Sequence, residues 1–278
     1  METDENAPAG GGTNPETQEQ TAAGTNSDPV RMLVAYSEGA VGMNDVVRSL
    51  VSYHDWLVPL GFAAQGDKET RTVASMEILS TETQLPPDKL WVFTDREAAH
   101  LAQTKGALLG TYVGGIAGTE LFRNIGADIK TVFVNPGSPT ERTWMFQDGG
   151  GIEVTKIWAD AIALEESFAR WEQTGTPDHA AVLNYRAFMT FDFSSGPVVT
   201  LPDQGGMSNP AAAFTAPDCA DMFLSKLSEE QRGQIRQVTI DGRALLERSP
   251  QLGIDGLLIN AFGPGASYAF PFANLPTG

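Results

Sequence analysis

Two hydrophobic patterns alternate along the chain, short apolar or period-two runs and stretches of helical period, and they come in the same order in both halves. Residues 55–60 form an apolar run, residues 75–79 alternate, and residues 90–93 form a second continuous run, so each reads as a strand. Thr94 with Glu97 makes a T-x-x-E capping box that starts a helix toward Lys105. A short helix follows from Gly118, with Gly126 suited to a left-handed C-cap. A strand at 131–134 then runs into Asn135, Pro136, Gly137 and Ser138, whose fixed proline φ and permissive glycine make a tight turn before a strand at 143–146.

The second half repeats this order. Residues 185–191 and 198–201 supply opening strands, and residues 212–214 repeat the apolar run before Thr215. Asp218 stands three positions after that threonine, with Pro217 tolerated in the first helical turn. Asp241 N-caps a short helix from Gly242, a strand at 256–259 ends in Asn260, and residues 267–270 form an aromatic strand after the turn. Phe93 and Phe214 are 121 residues apart, Gly118 and Gly242 124, Asn135 and Asn260 125, and Trp144 and Tyr268 124, offsets too even for coincidence.

Two amphipathic helices complete the reading. Residues 43–53 place Met43, Val46, Val47, Leu50 and Val51 on one face, with Asn44 or Asp45 as cap. Residues 157–171 place Ile157, Ala161, Leu164, Phe168 and Trp171 on a stripe expected to pack on the first half, with Glu165 and Glu166 on a solvated face. The expected class is α/β (α+β), two pseudo-repeated small mixed-sheet domains with helices. The first spans 31–171, a linker 172–183 and the second 184–278.

Composition changes this picture at one end. Residues 1–30 hold six acidic and no basic side chains, with three consecutive glycines and almost no large apolar residue, and read as a disordered, solubilising acidic tail. Docking by that tail is the alternative. The whole chain has 278 residues, is 41% hydrophobic, enough for two cores, and carries a net charge of −17, which argues against nucleic acid and membranes as partners. Cys219 is the only cysteine, so a disulfide framework and a cysteine-rich zinc site are excluded. It reads as a small buried hydrophobe. The lack of a secretion signal or a long apolar run makes the cytoplasm the expected location.

Candidate chemistry is sparse. His54, His100 and His179 lack the short spacing of a metal-ligand pair, and no G-x-S-x-G elbow occurs. Residues 114–118 could present amides to a phosphate, but no Lys-Ser/Thr follows and the dinucleotide register is missing, so they read as a flexible loop. Gly149, Gly150 and Gly151 read as a turn. No catalytic residue, cofactor or metal ligand is expected. The binding candidates are the two turns, Asn135, Pro136, Gly137 and Ser138 in one and Asn260, Phe262 and Gly263 in the other, because equivalent loops sit at one edge of both halves.

Val58-Pro59, the run Val92-Phe93-Thr94-Asp95, the helix start Gly118 to Leu121 and the turn Asn135 to Ser138 are the carriers of a family resemblance. Over about residues 50–146 the chain resembles the N-terminal domain of the bacterial enhanced-serine-sensitivity (SseB-like) family. The resemblance implies a small α/β domain without an established enzymatic activity. The second half departs from it, with Asn260-Ala261-Phe262-Gly263 for Asn-Pro-Gly-Ser and no Val-Pro, so its reading as a second copy rests on the internal match. The expected function is non-catalytic: a protein-binding adaptor, regulatory or immunity-type protein whose partner is another protein, with a homo-oligomer left open. The alternative is a small-molecule sensor or enzyme with a site in the groove between the halves.

Overall fold

The computed structural model describes residues 28–60, 88–105, 112–146, 151–176, 178–264 and 266–274. The strand expected at 75–79, Gly149, Gly150 and residues 1–27 of the acidic tail lie outside these. The last residues of the segment read as tail are helical. The Asp28 carboxylate accepts the Val30 N–H, and Pro29 opens helix α1 (Pro29–Ser37) at the position where a missing N–H costs nothing. In α2 (Met43–Ser52) it is Asp45 that closes the N-terminus, by accepting the Gly42 N–H at 2.8 Å. Val46, Val47, Leu50 and Val51 are buried as their spacing requires, whereas Met43 is exposed.

The first half then lays down β1 (Trp56–Leu60), β2 (Lys89–Val92), α3 (Arg96–Thr104), β3 (Tyr112–Ile116), α4 (Gly118–Arg123), β4 (Thr131–Val134) and β5 (Arg142–Met145). Strand β1 pairs antiparallel with β3, β2 parallel with β4, and β4 antiparallel with β5. Gly114 and Gly115 therefore lie in a ladder opposite Val58 and Leu57, so the flexible loop expected there is a paired strand. The alternation of the second sheet puts Leu90, Val92, Val132, Val134 and Trp144 into the core. Lys89, Trp91, Phe133 and Met145 stand on the other face.

The second half contains α6 (His179–Asn184), β6 (Phe188–Phe193), β7 (Pro210–Ala213), α7 (Pro217–Ser225), α8 (Glu229–Gly233), β8 (Ile235–Ile240), α9 (Gly242–Arg248), β9 (Gly256–Ile259) and β10 (Tyr268–Pro271). The pairing senses match those of the first half: β6 antiparallel to β8, β7 parallel to β9, β9 antiparallel to β10. Residues 198–201 form isolated bridges in place of the strand expected there, Val198 to Asp192 and Thr200 to Ala211. The α+β class holds.

Helix α5 (Gly151–Thr174) joins the halves and packs on both. It lies on α4 and α2. Its late turns reach β10, where the Phe168 and Tyr268 rings stack at 4.9 Å and Trp171 meets Tyr268 edge-on at 5.1 Å. The buried apolar residues of both halves form one continuous core around it, from Leu33 to Phe270, in place of the two separate cores expected, so the helix has two buried faces. Ala161, Leu164, Phe168 and Trp171 are buried as expected, but Ile157 is 40% exposed while Trp158 takes the interior. Glu172–Thr174 of the stretch read as linker finish α5, and Asp178 caps α6 by accepting from Ala180 and Ala181.

Helix starts also shift from the pattern. Asp95, not Thr94, caps α3, because its carboxylate accepts the Ala98 N–H at 2.7 Å while the Thr94 hydroxyl is engaged elsewhere. Ala216 takes the corresponding place before α7, with Pro217 first in the helix. Helix α4 ends at Asn124, whose N–H bonds the Glu120 and Leu121 carbonyls, so Gly126 needs no left-handed backbone. Asp241 caps α9 through the Ala244 N–H as anticipated.

Candidate functional site

Both asparagines at the ends of the central strands adopt left-handed backbone, φ 53° at Asn135 and 55° at Asn260. This conformation suits Asn better than most L-residues because its short amide bonds locally. Asn135 Oδ1 accepts the Thr94 N–H at 2.8 Å and its Nδ2 donates to Thr94 Oγ1 at 2.8 Å. Asn260 does the same to Thr215, at 2.9 and 2.8 Å. Each amide thus ties the end of one parallel strand to the strand-to-helix junction of its neighbour. Both are buried, so they shape the turns and are not open to a ligand.

The junctions carry further matching bonds. Tyr53 and Tyr185 donate their hydroxyls to the Thr94 and Thr215 carbonyls, and their own carbonyls accept the Gly118 and Gly242 N–H groups. Burial, with Glu165 and Asp160 adding to it, raises the Tyr185 phenol far above its ordinary pKa, so it stays a hydrogen-bond donor. A Cβ on Gly118 or Gly242 would lie 2.4 Å from the Val51 carbonyl or 2.2 Å from that of Val182, which explains why these helix starts carry glycine.

A polar cluster absent from the sequence reading sits where the halves meet. Arg48 of α2 forks onto two carboxylates, with Nη1 to Glu165 Oε2 at 2.7 Å and Nη2 to Asp218 Oδ1 at 2.9 Å, and Nε also donates to Asp218. Glu165 was expected on a solvated face. It is buried, and its Oε1 also accepts from Thr215 Oγ1 at 2.6 Å and Asn260 Nδ2 at 3.1 Å. Glu166 does face outward, 3.6 Å from His54. Burial by itself would lower the Arg48 pKa, but the hydrogen bonds it donates to Asp218 and Glu165 outweigh it and hold the guanidinium charged. Trp158 lies under it at 5.2 Å. The cluster joins α2 of the first half, α5 and α7 of the second into one ion-paired seam, beside the buried Cys219.

The turns themselves differ in what they offer. In the first, the Ser138 N–H bonds the Asn135 carbonyl across Pro136 and Gly137 (φ 77°), a type II arrangement with proline and glycine where that turn needs them. Pro136 and Gly137 wall a cleft of about 310 Å³ whose floor is Trp91 and Phe133 and whose rim holds Lys89, Lys105 and Glu141. Lys89 lies over the Phe133 ring at 5.3 Å, and Lys105 donates to the Gly137 carbonyl. Ser138 bonds Thr140 within the loop. In the second turn Phe262 takes the glycine position with φ 66° and is 59% exposed, while Gly263 lies against Cys219.

Among the described residues no group of His, Cys, Asp and Glu is arranged to hold a metal ion, and no helix is long and apolar enough to cross a membrane. His100 is exposed on α3, and His179 meets the Phe270 ring at 5.2 Å. No model of a protein family, no curated protein and no solved structure matches this chain.

Proposed function

We propose that the protein is a non-catalytic, cytoplasmic protein-binding module of adaptor, regulatory or immunity type, built from two diverged SseB-like units. The matching strand senses and the repeated Tyr–Gly and Asn–Thr bonds support the two-unit reading. One observation carries the binding reading. Strands β7 and β9 are buried at every position, whereas the outer face of the β2–β4–β5 sheet leaves Trp91 and Phe133 half-buried and Met145 67% exposed. Contiguous apolar surface with a charged rim is what a protein partner covers. Lys89 and Lys105 beside it fit a partner segment that brings apolar side chains flanked by carboxylates.

Affinity capture from the native host with the full chain tests this. The wild type is expected to retain one protein in stoichiometric amount, Met145→Asp to lose it, and Met43→Asp, exposed on α2, to keep it. Absence of a stoichiometric partner, or equal capture by Met145→Asp, overturns the reading.

A further inference from the structure

A second cleft, of about 280 Å³, opens between α4, α5 and α6, with Arg123, Asp160, Ser167, Asn184 and Arg186 on its walls. Arginine is concentrated there in a chain that carries −17 overall. Arg123 is neutralised by Asp160 at 2.7 Å. Arg243 of α9 does not line the cleft but stands beside it, held by Asn184 Oδ1, 3.4 Å from its Nε and 3.1 Å from its Nη2. Arg170 donates to Ser167 Oγ at 3.1 Å. Arg186 makes no hydrogen bond or ion pair among the described residues, so its five donors are open to an acceptor.

We propose that this cleft binds a small-molecule oxyanion, a phosphate or carboxylate group received by Arg186 with Ser167 on the wall, and reached by Arg243 from beside the cleft. A planar fork matches the paired oxygens of either group. The volume of about 280 Å³ falls just below the range for drug-sized ligand pockets, about 300–1,000 Å³, which suits only a small metabolite. The net charge disfavours a polyanion. The Tyr185 hydroxyl takes no part, being committed to the Thr215 carbonyl. The site lies apart from the outer sheet face, so its fate is independent of the partner proposed above.

Calorimetric titration of the full chain at low ionic strength with inorganic phosphate and, separately, succinate tests the proposal. Saturable binding of at least one probe is expected in the wild type, and the probe that binds identifies the head group. Combined Arg186→Gln and Arg243→Gln should weaken it at least about tenfold, the loss expected for charge-assisted hydrogen bonds. Arg31→Gln, which removes a charge from the highly exposed Arg31 of α1, should bind as the wild type. The proposal is overturned if neither probe saturates, if the double variant binds unchanged, or if Arg31→Gln weakens binding equally. Circular dichroism of the double variant checks that it remains folded.

Discussion

Replacing Asn260 tests whether the buried amide holds the second half together. Asn260→Ala removes the acceptor of the Thr215 N–H, a buried donor left unpaired at a cost of about 1–3 kcal/mol. It also places an alanine at φ 55°, where a Cβ costs roughly 1–2 kcal/mol. The expected loss is therefore about 3 kcal/mol, or about 6–12 °C in thermal midpoint for a chain of this size. Asn260→Gly should be milder by about 0.5–1 kcal/mol, since the left-handed cost disappears and only part of it returns as unfolded-chain entropy. Asn135→Ala should fall below Asn260→Ala by about 1 kcal/mol, because Asn260 alone also donates to the buried Glu165 carboxylate. Urea or thermal unfolding followed by circular dichroism reads all three. Midpoints unchanged from wild type, or a glycine variant weaker than the alanine variant, would refute the reasoning.

Further outcomes follow from the same contacts. Arg48→Met leaves the buried Glu165 and half-buried Asp218 carboxylates without their cation and should cost about 3 kcal/mol. Adding Glu165→Gln and Asp218→Asn to that variant should recover much of the loss, as unfolding midpoints will show. Gly118→Ala and Gly242→Ala force a Cβ into the backbone and should each cost about 3 kcal/mol, measured in the same way. Asp255 accepts the Ser208 and Asn209 N–H groups, and the Ser208 bond foremost holds its pKa below the ordinary carboxylate value. A depressed acid contributes stability above its unfolded value and loses it as pH falls through the folded one. Carboxyl carbon NMR should therefore place the Asp255 midpoint below about 4, the ordinary value, and Asp255→Asn should flatten the acid limb of the stability profile.

Much of the scaffold was legible because its signals are local. Apolar runs at 90–93, 131–134 and 256–259 become strands through their side-chain period, Asp241 caps its helix through an acceptor three residues from its donor, and Pro136-Gly137 fits only a few turns. The match of Asn135 with Asn260 was visible in spacing, but spacing presents both as exposed loop residues. Burial beneath the Thr94 and Thr215 junctions gives them a structural part, through bonds spanning 41 and 45 residues of sequence.

Glu165 shows what only the tertiary structure could decide. On an isolated helix it stands off the apolar stripe and belongs in water, because the pattern assumes one core and one solvent face. Helix α5 instead runs through one core shared by both halves, and α2 and α7 bring Arg48 and Asp218 to the face that the pattern assigned to solvent. The one available hint was Arg48, charged within the run Val46 to Val51, though nothing local names its partners 117 and 170 residues away. Periodicity determines which side of an element avoids water. Which surfaces meet, and so which charges are buried in pairs and which clefts stay open, depends on how distant elements pack, and that is a property of the assembled fold.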